Sequence, residues 1–246
     1  MHRYQILIEY VGTSFVGWQI QKRGNSIQKT IQSTLSKLLK QKITLHGSGR
    51  TDAGVHALEQ SAHFDVKNKI SNINKLIKSL NFFLNLKMIS IINIKKRNQK
   101  FHARYSAKER SYLYLIQNRL SPSIINKDRV WHIRKKLDFD LIKRGSKKLI
   151  GNHDFSTFRA SNCNAKFPIR TLNNIIVRQS KTQIKFKFKS KSFLKNQVRS
   201  MVGCLKFIGE KKWSLKKFEN VIKSKNRKNC APPAPAHGLY LEKITY

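Results

Sequence analysis

The stretch Ile43-Thr44-Leu45-His46-Gly47-Ser48-Gly49-Arg50-Thr51-Asp52-Ala53-Gly54-Val55-His56, followed by the alternating run Gln60-Ser61-Ala62-His63-Phe64-Asp65, decides the fold. Residues 43–46 predict a short strand and residues 60–65 a second, so the glycine-rich segment is a loop joining two sheet elements. Glycines there allow positive φ and close approach of a ligand. Asp52 stands two positions from Arg50 in a chain with only 12 Asp+Glu. A nearby guanidinium favours the charged form of a carboxyl, so Asp52 is expected to be ionised, as a nucleophile or general base must be. Asp and Gly are also the commonest turn formers, and the segment taken alone fits an ordinary turn as well.

Upstream, residues 3–10 are rich in strand formers and predict a first strand. Ser26 is placed to cap a helix reaching about Lys40, with Ile27, Ile31, Leu35, Leu38 and Leu39 on one face. Downstream, residues 73–84 predict a second helix and residues 88–94 a buried strand. Strand, helix, strand, strand, helix, strand is the order of the split βαβ unit of ferredoxin-like folds. The first half is therefore assigned to residues 1–98, ending in a charged connector at 95–100, and the second half to 99–246. In that second half Tyr112 and Tyr114 fall on one face of a strand. A helix is expected over 138–149, a loop over 151–159 in which Asp154 serves a turn, and paired strands over 170–179 and 182–189. In the latter Ile184, Phe186 and Phe188 point inward and Lys185, Lys187 and Lys189 outward. A helix from Phe193 to about Gly209 carries Arg199 near its start, and another covers 215–223. A stiff Ala/Pro connector at 231–237 leads to a closing strand.

At 246 residues and 28.7 kDa, the chain carries 51 Lys+Arg, a formal net charge of +39 and a sequence pI near 10.6. Such a field attracts polyanions and makes their binding fall steeply with salt, so nucleic acid is the expected partner. Lysines in stretches such as 67–75 also fit a coding bias toward A and T. No apolar run approaches the ~20 residues of a membrane span, and no signal-peptide pattern opens the chain, which points to the cytoplasm and to no membrane partner. Cys163, Cys204 and Cys230 are odd in number and lack metal-ligand spacing, so they read as reduced thiols, with neither a disulfide framework nor a metal site.

Gly49-Arg50-Thr51-Asp52-Ala53-Gly54-Val55-His56-Ala57, with Gln60 and His63-Phe64, resembles the catalytic motif of the tRNA pseudouridine synthase A family. Tyr10-Val11-Gly12 and Gly17-Trp18-Gln19-Ile20-Gln21 are similar to the family's opening motif, which usually has an acidic residue at Val11 and often tyrosine at Phe15. Phe101-His102-Ala103-Arg104 with Arg110, Tyr112 and Tyr114 resembles a second motif, Phe193 to Gly203 a third, and Gly238-Leu239-Tyr240-Leu241 the family's ending. The resemblance implies an α/β (α+β) pseudouridine synthase fold. Two ferredoxin-like halves would join into one mixed, mainly antiparallel sheet with helices packed on it and a basic cleft between the halves. It implies a homodimer that binds tRNA and isomerises uridine to pseudouridine at positions 38, 39 and/or 40 of the anticodon stem-loop, without a cofactor. By the same resemblance Asp52 is the catalytic residue and Tyr112 stacks on the freed base. Arg50 displaces or holds the nucleotide, and Arg199 pairs with the carboxylate. The chemistry leaves two routes for Asp52, attack at C1′ or removal of a 2′ proton. Composition alone also fits a non-catalytic basic RNA-binding protein. A metal-dependent nuclease is disfavoured, since no carboxylates cluster in sequence.

Overall fold

The computed structural model describes residues 1–246. The chain forms two compact units, Met1–Arg110 together with Tyr240–Tyr246, and Ser111–Leu239. Segment 99–110, after the charged connector, belongs to the first. In chain order the elements are β1 (His2–Tyr10), α1 (Ile27–Leu38), β2 (His46–Gly47), β3 (His56–Val66), α2 (Ile73–Leu84) and β4 (Ile89–Arg97). There follow β5 (Glu109–Asn118), β6 (Trp131–Ile133), α3 (Phe139–Lys147), β7 (Gly151–Asp154), β8 (Ile169–Ser180) and β9 (Gln183–Ser190). The last are α4 (Gln197–Gly209), α5 (Leu215–Lys223) and β10 (Leu239–Thr245). Both units are α+β with mainly antiparallel strands, and no helix is long and apolar enough to cross a membrane.

In the first unit β1 pairs antiparallel with β4 on one side and β3 on the other. The far edge of β3 is shared: β2 pairs antiparallel at His46↔His63 and Gly47↔Ala62, and β10 pairs parallel at Tyr240↔His56 and Leu241↔Ala57. The split βαβ order thus holds, with β3 between β1 and β2. Ser26 Oγ caps α1 from the Lys29 N–H and Asn72 Oδ1 caps α2 from the Lys75 N–H, satisfying donors that a helix start leaves open. The buried faces are Ile27, Ile31 and Leu35 on α1 and Leu76, Leu80 and Leu84 on α2.

The expected strand at 43–46 shrinks to His46–Gly47. Ile43 and Leu45 are buried, as their alternation required. Their backbone groups bond α1 instead: Ile43 N–H donates to Ser36 Oγ (3.0 Å), Leu45 N–H to Gln32 Oε1 (3.1 Å), and Leu45 O accepts from Gln28 Nε2 (2.8 Å). Alternation reports burial, and a buried backbone needs partners of some kind, not specifically a neighbouring strand. The charged connector, conversely, is partly strand, because Lys95, Lys96 and Arg97 pair with Gln5, Tyr4 and Arg3. β4 is an edge, where charge discourages further pairing.

The second unit orders its strands β5-β9-β8-β7, with β6 parallel to β5. Ile184, Phe186 and Phe188 of β9 are fully buried, as expected. Residues 151–154, expected as loop, form β7 against β8; an edge strand of Gly, Asn, His and Asp has no apolar alternation to betray it. Asp154 does serve a turn, its Oδ1 accepting the Ser156 N–H at 2.8 Å. Helix α4 starts at Gln197 instead of Phe193, because Asn196 takes the left-handed conformation (φ 63) and Leu194 N–H donates to Gln197 Oε1 (2.8 Å). Ten of the 13 residues of α4 are buried.

Candidate active site

The loop between β2 and β3 is fastened along its length by polar groups. At its base Ser48 Oγ donates to Gln60 Oε1 (2.7 Å), Gln60 Nε2 donates to Gly49 O (3.0 Å), and Ser48 N–H donates to Ser61 O (2.8 Å). Arg110 Nη2 adds a bond to Ser48 O at 2.9 Å. In the middle the Thr51 hydroxyl meets the Tyr10 phenol at 2.8 Å, and Thr51 O accepts the Trp18 N–H at 3.1 Å. At the end Val55 N–H donates to Asp52 O (3.2 Å), and Gly12 N–H donates to His56 Nδ1 (3.0 Å). The segment 10–18 therefore clasps the loop. It can do so only because Gly12 has no side chain: a Cβ there would lie 2.0 Å from Val55 O. Thr51 is buried, Asp52 half-buried and Arg50 exposed. The loop thus presents a guanidinium and a carboxylate on either side of an anchored threonine.

Tyr112 and Arg199 belong to the second unit. Tyr112, half-buried on β5, meets Phe193 edge to face at 5.1 Å between centroids. Phe193 leads into α4, whose first turn carries Arg199. Arg199 Nε donates to Ala234 O (2.7 Å), its Nη1 to Asn196 Oδ1 (3.2 Å), and its backbone O accepts the Ala234 N–H (2.9 Å). Tyr114, fully buried, donates its hydroxyl to Pro235 O at 2.9 Å. Burial pushes that phenol's pKa well up, against the opposing charge of Arg199. The Ala/Pro segment is thus strapped onto α4, and Gly203 allows it: a Cβ there would lie 2.1 Å from Pro232 O. Arg199 is held as firmly as Thr51.

The sequence pattern of the family described as tRNA pseudouridine synthase matches residues 6–106 and 146–246. The chain belongs to the tRNA pseudouridine synthase family. It is 64% identical over 246 residues to the tRNA pseudouridine synthase A of Pelagibacter ubique (strain HTCC1062), covering 100% of both chains. It is 39% identical to the protein of that name from Parvibaculum lavamentivorans, again over 100% of each. With that of Paramagnetospirillum magneticum it shares 41% identity, over 100% of this chain and 96% of the other. Among solved structures, an H/ACA ribonucleoprotein bound to a substrate RNA containing 2′-deoxyuridine aligns over 82% of this chain and 44% of that one. That alignment has a TM-score of 0.39 and 9% identity, too slight to carry a fold argument.

As a tRNA pseudouridine synthase the chain is an enzyme of an isomerase family. Asp52, Arg50 and Arg199 lie within the matched segments, and Tyr112 lies in the stretch 107–145 between them. The structure brings Arg50 and Asp52 together on one loop of the synthase and joins Tyr112 to the run-in of the Arg199 helix. Tyr10, His56 and Gln60 fasten this loop; all three stand in the motif strings, but residue type alone gives no sign of what they bond. No group of three or more His, Cys, Asp or Glu is arranged to hold a metal ion. Cys163, Cys204 and Cys230 are free thiols, although Cys204 Sγ and Cys230 Sγ stand 3.5 Å apart.

Proposed function

We propose that this synthase isomerises uridine to pseudouridine at positions 38, 39 and/or 40 of the tRNA anticodon stem-loop, with Asp52 as nucleophile. The observation that carries the reading is the fastening of the Asp52 loop: Thr51 is bonded through its hydroxyl and its carbonyl, the Asp52 carbonyl accepts the Val55 N–H, and Asp52 itself stays half-buried. The reaction must break the N1–C1′ bond, turn the base and rejoin it through C5, with no net redox change. The base first leaves the stack, which costs a few kcal/mol that cationic and aromatic contacts offset. Arg50, Tyr112 and Arg199 bind the substrate. Arg50, exposed, holds the displaced nucleotide; Tyr112 offers a ring to the freed base; Arg199 supplies a fixed guanidinium, suited to a carboxylate or phosphate.

Asp52 then bonds to C1′ as the N1–C1′ pair of electrons leaves with the base, as carboxylates do in retaining glycosidases. The turned base returns C5 to C1′ and expels the carboxylate; C5 loses its proton and N1 takes one up. Every atom of the product comes from the substrate and water, so the enzyme works without a cofactor. It acts as a cytoplasmic homodimer on tRNA. The test is Asp52→Asn assayed with 5-tritiated tRNA. Tritium release should fall at least about a thousandfold, as expected when a nucleophile is lost, while filter binding of tRNA stays within a few-fold. Release at the unmodified enzyme's rate would sink the assignment.

A further inference from the structure

In the first unit three histidines and a tyrosine stand ring to ring. His46 stacks on His63 at 5.0 Å between centroids, His63 meets His102 at 4.6 Å, and His102 meets Tyr105 at 4.4 Å. His63 in the middle of the stack is 2% exposed, whereas His46 at one end is exposed and Tyr105 at the other is 76% exposed. Its inner rings are locked. His63 Nδ1 accepts the Ala103 N–H (3.2 Å), and His102 Nδ1 accepts those of Arg104 (3.1 Å) and Tyr105 (3.3 Å). Nδ1 atoms committed to backbone donors are not offered to a metal, and no metal-holding group is found among these rings. Arg104, exposed, sets its guanidinium 5.6 Å from the Tyr105 ring centre.

This turn is tied to the Asp52 loop. Arg110 Nη2 donates both to Arg104 O (2.9 Å) and to Ser48 O (2.9 Å), so one guanidinium holds the exposed ring in register with the loop. A large ring left in water, backed by immobilised rings and beside a cation, is what unpaired nucleotides use: any base stacks on it, and the cation meets the backbone. We propose that Tyr105, backed by His102 and flanked by Arg104, is a stacking platform for an unpaired nucleotide of the substrate RNA next to the target uridine. The proposal rests on the reading of this chain as a tRNA-modifying enzyme. Burial pushes the His63 pKa down to about 4, helped by the charges of His102, Arg3 and His46, and burial likewise lowers that of His102. At neutral pH His63 is therefore uncharged, and Arg104 sets a positive charge beside the exposed Tyr105 ring.

The test compares Tyr105→Ala, Tyr105→Phe and Tyr105→Trp on an anticodon stem-loop RNA carrying 2-aminopurine in its loop. Because Tyr105 is exposed, unchanged melting temperatures are expected throughout. Tyr105→Ala should raise Kd and KM on the order of tenfold, leave kcat within twofold and abolish the 2-aminopurine quenching. Tyr105→Phe should match the unmodified enzyme, and Tyr105→Trp should match or tighten. Unchanged binding by Tyr105→Ala would overturn the platform, as would equal losses in the Ala and Phe variants or a loss confined to kcat. The functional reading fails separately: an unmodified enzyme that binds RNA through Tyr105 yet releases no tritium would sink that reading and leave the platform standing.

Discussion

The loop that carries Asp52 and the helix that carries Arg199 are both immobilised, by opposite means. Between residues 47 and 55 the one buried apolar side chain is Val55, and order comes from Gln60, Tyr10, His56 and the backbone of Trp18. Helix α4 instead buries Val198, Met201, Val202, Leu205 and Ile208, and its polar bonds serve mainly to strap segment 231–235 across it. A loop that must keep a carboxylate accessible cannot be anchored by burying an apolar face. It is anchored through its backbone and through the Ser48 and Thr51 hydroxyls, and each of these hydrogen bonds is worth about 1 kcal/mol. A helix can give one face to the core and still project an arginine from its first turn. The loop should therefore yield function before stability, and the helix the reverse.

The sharpest way to break this contrast uses the two glycines at close backbone approaches. Gly12→Ala places a Cβ 2.0 Å from Val55 O, and Gly203→Ala places one 2.1 Å from Pro232 O. Gly203 sits in a packed helix with nowhere to retreat, so its substitution should cost about 3 kcal/mol, the upper end for overpacking, in denaturant unfolding. At Gly12 the loop can swing away, giving up a bond or two for a stability loss of about 1 kcal/mol. Tritium release per folded molecule should then fall more than about tenfold, as small misplacements of a reacting group do. Equal stability losses with turnover intact in Gly12→Ala would show the loop to be core-like after all.

Acid sharpens the comparison. In the first unit His63 is buried with a pKa pushed down to about 4 from 6.5. Above pH 6.5 it is neutral in both folded and unfolded chains and contributes nothing. As pH falls from 6.5 to 4 the unfolded chain takes a proton that the folded one refuses, so stability drops by up to about 3 kcal/mol over that window. In the second unit burial acts to raise the Glu210 carboxyl, but Lys206 at 2.8 Å and Lys212 at 3.1 Å hold it below its usual range. Stability from that group is present above the ordinary carboxylate range and goes only as pH falls through it. Urea unfolding between pH 7.5 and 3.5 should show both losses, with His63→Gln flattening the first and sparing the second. A slope between pH 6.5 and 4 that survives in His63→Gln would pass the effect to His102 and His237, which burial also lowers.

Elements whose signals are local were legible in the sequence. Helices α2 and α5 span the predicted residues 73–84 and 215–223, because capping by Asn72 and Ser214 and the spacing of buried residues lie within each helix. What escaped was set by distant partners. Residues 43–45 alternate like a strand yet bond the side chains of α1, and β7 pairs through its backbone with no apolar face to announce it. The same divide runs through the site. Asp52 and Arg50 stand in one motif string, whereas Tyr10 and Thr51 are 41 positions apart and His63 and Ala103 are 40 apart, so their bonds exist only in the folded chain.

The Tyr10–Thr51 bond is the smallest effect and the most direct probe of polar fastening. Both residues are buried, with the two oxygens 2.8 Å apart. Thr51→Val keeps the shape and removes the hydroxyl, leaving the phenol without that partner; Tyr10→Phe does the converse. Each single change should cost about 1 kcal/mol and lower tritium release a few-fold, since Thr51 is the residue next to Asp52. In the double variant neither oxygen is present, and part of the loss returns, giving a coupling of about 1 kcal/mol in the cycle. Additive losses would mean that the bond seen between the two oxygens does not hold the loop. The Trp18 and Val55 backbone bonds would then have to position Asp52 alone, and Gly12→Ala, which strains the Val55 side directly, should become the more damaging for it.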